Sequence, residues 1–164
     1  MNSIKKRMMG ITIIFGLMAL ASLVQAQQPF QIIGCSSGKV VTLSENQPLT
    51  VHNITGKGAA CCTAGDKTFD DMTWDFVATL GVMDGKTIGI AYFKFMDPDQ
   101  DYFILEANGD AILQGGDWKF LYGVGKWRGV TGKVKGRVVL RGEPLPVETG
   151  QYWCRIVGTL ELPH

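Results

Sequence analysis

Met72-Thr73-Trp74-Asp75-Phe76-Val77-Ala78-Thr79-Leu80 decides the fold class. Met72, Trp74, Phe76, Ala78 and Leu80 alternate with Thr73, Asp75, Val77 and Thr79, and a period of two puts the first set on one face of a β-strand. Met83-Asp84-Gly85-Lys86 follows. Its Asp-Gly pair suits the positive-φ geometry of a two-residue hairpin turn. A second strand then runs from Thr87 to Met96.

Working outward, the pattern repeats. Asp97 to Asp101 reads as a turn, Tyr102 to Ala107 as a strand, and Asn108-Gly109-Asp110 as another turn. Trp118 to Gly123 gives a further strand and Gly125 to Gly132 a glycine-punctuated connection. Lys133 to Arg141 and Gln151 to Leu160 finish the series, joined through a loop holding Pro144 and Pro146. Upstream, Val40 to Leu43 and Leu49 to Ile54 are short β-like runs separated by Ser44-Glu45-Asn46-Gln47-Pro48, and residues 55–70 read as a long loop. No segment of ten or more residues beyond the N-terminal region repeats every 3.6 residues. About eight antiparallel strands predict an all-β fold: a single antiparallel eight-stranded barrel, whose closure removes exposed strand edges.

Residues 1–26 read differently. Lys5, Lys6 and Arg7 lead into an apolar run from Met8 to Val24, and Val24-Gln25-Ala26 has the residues of a signal-peptidase site. The expectation is a signal peptide over 1–26, a mature barrel domain over 27–164, and a periplasmic or secreted location. Two alternatives stand beside it. The run could serve as an uncleaved anchor. Ile32-Ile33-Gly34-Cys35 resembles a lipobox, but polar residues separate it from the apolar run.

Cleavage removes three of the 16 basic residues, leaving 13 against 15 acidic ones and a net charge of −2. Phosphate binding needs a concentrated basic surface, so a nucleic-acid partner is not expected. Lys126, Arg128, Lys133, Lys135, Arg137 and Arg141 fit the solvated face of a strand pair. After cleavage, no stable membrane insertion is expected either.

Cys35, Cys61, Cys62 and Cys154 are disulfide candidates in an oxidising compartment. Cys35 lies near the first strand and Cys154 in the last. Barrel closure brings those strands together, so a bridge from Cys154 to Cys35, or to one of the adjacent pair, is expected. A vicinal Cys61–Cys62 bridge, or redox or metal use of that pair, is the alternative. Metal binding is otherwise not expected: His52 and His164 are the only histidines, and Asp97, Asp99 and Asp101 lack the glycine and glutamate of a calcium loop. No Gly-x-Ser-x-Gly elbow exists, and His52 as a base is set against a polar strand position.

Aromatic residues punctuate nearly every strand. With the even-numbered face inward, Trp74, Phe76, Tyr92, Trp118, Phe120, Tyr122 and Tyr152 line the interior and suit a planar ligand; the alternative is that they fill the core. Trp74, Phe76, Trp118, Phe120 and Tyr152, with Arg137 for a carboxylate, are the ligand-binding candidates. Glu106, Tyr92 and Tyr122 are the catalytic candidates, as groups that shuttle a proton in an apolar cavity. Arg137 and Arg155 are possible partners of Glu106, and solvent is the alternative setting for these charges.

Trp74-Asp75-Phe76, Asp97-x-Asp99-x-Asp101, the run Gly123-Val124-Gly125-Lys126-Trp127-Arg128-Gly129-Val130-Thr131-Gly132 and the terminal Val157-Gly158-Thr159-Leu160-Glu161-Leu162-Pro163 together resemble secreted bacterial members of the allene oxide cyclase/dirigent-like barrel group. The resemblance covers roughly residues 70–163, and residues 27–69 carry no matching signature. It implies an eight-stranded barrel, plugged at one end by Trp127 and Val130, with a cavity for a small, largely apolar molecule and no cofactor. It transfers no catalytic residue. The expected function is an exported barrel that binds a small apolar or aromatic molecule and catalyses its cofactor-free isomerisation, cyclisation or lysis. A non-catalytic, lipocalin-like binder and a structural barrel with a packed interior are the alternatives. Homo-oligomers occur in the resembling families.

Overall fold

A computed structural model describes residues 27–44, 49–61, 69–142 and 149–163. Eight strands follow in chain order: β1 (Gln28–Ser44), β2 (Leu49–Cys61), β3 (Thr73–Met83), β4 (Lys86–Met96), β5 (Tyr102–Asn108), β6 (Gly116–Gly123), β7 (Thr131–Gly142) and β8 (Thr149–Glu161). Each pairs antiparallel with the next, and β1 pairs with β8 from Gln28↔Leu160 to Lys39↔Thr149, closing the barrel. The helical pieces among the described residues, such as Ala111–Gly115 and Gly125–Trp127, are short, and no helix there is long and apolar enough to cross a membrane. The expected signal peptide lies outside the described residues.

Two strands are longer than alternation predicts. β1 begins at Gln28, well before Val40, and residues 55–61 belong to β2 where a loop was expected. Both extensions carry glycine at inward positions, which hides the apolar period. A Cβ on Gly34 or Gly58 would collide with the Trp74 ring, and one on Gly38 or Gly56 would meet Phe76. These glycines are sockets that let large rings lie against the neighbouring backbone.

Turn chemistry sets which face of each strand points inward. Asp84 and Gly85 both have positive φ, 50° and 75°, as a two-residue hairpin turn of the primed type requires. The turn aligns Met83 with Lys86, so even residues on β3 meet odd residues on β4: Trp74↔Phe95 and Phe76↔Phe93. Odd parity continues into β5, where Phe95 meets Phe103 and Phe93 meets Leu105. A bulge then places Ile104 opposite Tyr122 but Leu105 opposite Phe120, leaving Leu121 as the extra residue. Trp118 and Phe120 consequently face inward and Tyr122 faces out.

One end of the barrel is filled. Phe69 stacks on Trp127 with centroids 5.5 Å apart, Phe103 meets Trp127 edge-on at 5.0 Å, and Phe95 stacks on Phe103 at 5.2 Å. Trp127 and Val130 are buried there, as the plug motif implies. Asp97 fastens the plug, its side chain only 1% exposed. It accepts hydrogen bonds from Trp127 Nε1 (3.0 Å) and the Asp101 amide (3.0 Å), and Lys126 Nζ lies 2.8 Å away. The Asp97–Asp101 segment is thus a turn, closed by Asp97 N–H to Asp101 O at 2.9 Å. Burial would raise the Asp97 pKa, but hydrogen bonds from Lys126, Trp127 and Asp101, with the Lys126 charge, hold it below its ordinary value.

Candidate functional site

The other half of the lumen is hollow. A cavity of about 250 Å³ lies where the inward residues shrink from Trp74 and Phe95 to Ala78 and Ala91. Its main wall is a stack: Phe93 and Trp118 lie 4.7 Å apart and 17° from parallel. Gly136 behind Trp118 leaves room for the indole, since a Cβ there would stand 2.5 Å from the ring. Phe76 stacks on Phe93 at 5.7 Å and meets Tyr152 edge-on at 6.5 Å, so one aromatic surface runs across β3, β4, β6 and β8. Leu80, Ile54, Val40 and Val82 complete the apolar wall.

A short lid covers part of the space. The turn Ala111–Gly115 brings Ile112 and Leu113 against the cavity, with Ile112 buried. Asp110 ties this turn to the start of β4 by accepting the Thr87 amide at 3.2 Å.

Polar groups are few. Ser36, His52, Thr87, Tyr152 and Cys154 line the cavity, and among the described residues no aspartate, glutamate, lysine or arginine does. Ser36 Oγ donates to the Tyr152 carbonyl at 3.5 Å, and His52 Nδ1 is 3.1 Å from Thr42 Oγ1. Burial, with the Cys35 thiol adding to it, pushes the Cys154 thiol up to about 12. A thiol that reluctant to ionise is a packing group at neutral pH, not a nucleophile.

Trp74, Phe76, Trp118, Phe120 and Tyr152 all turn inward; Trp74 serves the filled end, Phe120 packs against Phe103, and the other three line the cavity. Tyr92 and Tyr122 do not turn inward. They are 37% and 59% exposed, because the hairpin turn and the bulge reverse the parity assumed for them. Glu106 sits between Tyr92 and Lys119 on the outer face, flanked by the buried Leu105 and Ala107. Arg137 is exposed outside β7 opposite the exposed Arg155, flanked by the buried Gly136 and in alternation with the buried Val134, and Arg155 Nη2 donates to Gln31 Oε1 at 3.0 Å. The three catalytic candidates and Arg137 therefore stand apart from the lumen.

The expected Cys154–Cys35 bridge is likewise not formed. Strand pairing sets Gly34 opposite Cys154 and Cys35 opposite Trp153, so Cys154 is buried while Cys35 emerges on the exposed face. Cys62 and the Cys61 side chain lie outside the described residues. Ser36, Thr87, Ile112 and Leu113 line the cavity although no motif marks them, and so does His52. The alternation His52, Ile54 along β2, in phase with inward Leu80 and Ala78, is the signal that places His52.

No protein-family model and no curated protein matches the chain. Among solved structures, the pterocarpan synthase dirigent protein GePTS1 aligns with a TM-score of 0.51, covering 87% of this chain and 96% of that one at 7% sequence identity. A likeness at that identity establishes architecture and no activity. The chain folds as a dirigent-like, closed eight-stranded antiparallel barrel.

Proposed function

We propose that the barrel binds one small, flat, largely apolar molecule in the half of its lumen that faces Phe93 and Trp118. The cavity of about 250 Å³ carries this reading. An apolar cavity of roughly 150 Å³ accepts benzene, so this one has space for a molecule of one or two fused rings. A guest regains the dispersion contacts that the empty walls lack and leaves water for an aromatic surface.

The same observation disfavours a packed structural barrel. Cofactor-free isomerisation, cyclisation or lysis is the finer reading, with non-catalytic binding beside it. Any proton transfer within the lumen falls to His52 or Tyr152, because Glu106, Tyr92 and Tyr122 stand outside. Export completes the proposal: the mature protein begins at Gln27, and N-terminal sequencing of secreted material that starts at Met1 contradicts it.

Naphthalene titrated against the protein, followed by tryptophan fluorescence, tests the binding. Saturable quenching in the micromolar range is expected. Ala91→Phe and Ala78→Leu fill the cavity and weaken binding at least about tenfold, with β-sheet circular dichroism retained. Unsaturable quenching, or equal affinity in folded cavity-filled variants, overturns the proposal.

A further inference from the structure

We infer that His52, positioned by Thr42, is the polar anchor of the lumen and selects neutral ring ketones or alcohols over the bare hydrocarbon. This rests on the binding reading above and names the ligand class that the same cavity takes. β2 pairing sets His52 between Thr42 of β1 and Leu80 of β3, and His52 lines the cavity. Phe93 and Trp118 form the aromatic wall for the flat body of a guest.

The chemistry of the pair defines the guest. Thr42 Oγ1 lies 3.1 Å from His52 Nδ1, and a hydroxyl either donates to that nitrogen or accepts from it. In the first case His52 Nε2 carries the proton and donates to a carbonyl oxygen. In the second it is bare and accepts from a hydroxyl. No charged side chain lines the cavity among the described residues, so an ionic head group finds no counter-charge there. A guest that covers the partly buried His52 takes water from its imidazole, and a hydrogen bond to the guest's oxygen restores part of that loss.

Indane, 1-indanone and 1-indanol share one nine-carbon skeleton and differ only in the oxygen. Their dissociation constants are measured for the wild type and His52→Leu by tryptophan fluorescence, and each affinity for the ketone or alcohol is divided by that for indane. The oxygen's relative contribution is expected to fall about three- to tenfold in His52→Leu, and division by the indane affinity of the same variant removes any change in apolar contact with the altered wall. His52→Gln, which keeps a donor and an acceptor, restores part of it. Thr42→Val lowers the ratio and Thr42→Ser does not, as a positioning role requires; the Thr42 variants also serve if His52→Leu fails to fold. Ratios unchanged in every folded variant overturn the His52 assignment alone. Failure of indane, indanone and indanol to bind the wild type overturns the cavity reading and this inference together.

Discussion

Trp127 Nε1 donates to Asp97 Oδ2 at 3.0 Å, joining the plug after β6 to the turn after β4 across the filled end of the barrel. One carboxylate thus serves an indole, a lysine and a backbone amide in nearly complete burial.

Asp97→Ala leaves the buried Trp127 N–H and the Asp101 amide without their acceptor and is expected to destabilise by about 2–4 kcal/mol. Urea unfolding checks the magnitude. The pH dependence follows from the sign of the shift. The folded-state pKa of Asp97 is lowered, so its contribution is present above the ordinary aspartate value and disappears as pH falls through the folded value. Wild type therefore loses stability below about pH 4 more steeply than Asp97→Asn. Parallel acid titrations of the two proteins contradict this.

Gly34 lies against the Trp74 ring in a backbone conformation open to any residue, so Gly34→Ala is a purely steric insult. A loss of about 1–3 kcal/mol is expected from overpacking. Trp74→Leu in the same chain removes the ring's share of the clash, leaving the Ala59 carbonyl 2.7 Å from the new Cβ, and the double mutant is more stable than the two single losses predict. Additive losses in denaturant melts refute the socket.

Cys154 is expected to resist iodoacetamide at pH 8 in the folded protein and to react in urea, because burial holds its pKa near 12. Peptide mapping by mass spectrometry reports the site. Its raised pKa also fixes a sign: the neutral thiol costs nothing below the unfolded value of about 8.5, and stability declines as pH rises from there toward 12. Rapid native labelling of Cys154 contradicts its burial.

Glu106→Gln, Tyr92→Phe, Tyr122→Phe and Arg137→Gln alter the outer face only. Each is expected to leave naphthalene affinity unchanged and stability within about 0.5 kcal/mol of wild type. A tenfold loss of binding in any folded member of this set contradicts the placement of the lumen.

Strand number, antiparallel order and the inward face of β3 were legible because Trp74, Ala78 and Leu80 carry a clean period of two between turns with strong local chemistry. Plug residues Trp127 and Val130 were legible through resemblance. Hidden were the first part of β1 and the last part of β2, whose inward positions hold Gly34, Ser36, Gly38, Gly56 and Gly58, the glycines yielding their volume to the rings of β3. Periodicity measures what a residue brings to the core, not what it concedes to a neighbour. Facing was also hidden wherever it passes through a turn or bulge: one extra residue at Leu121 separates the inward Phe120 from the outward Tyr122, though both are even-numbered aromatics.

Because side chains resting on glycine set the inner contour, the strands need not move for the bore to change. Trimming a ring at position 76 or 118 widens the chamber locally, and enlarging Ala78 or Ala91 narrows it. The cylinder behaves as a fixed sleeve with exchangeable liners, so guests of different girth are reached by single substitutions without rebuilding the scaffold.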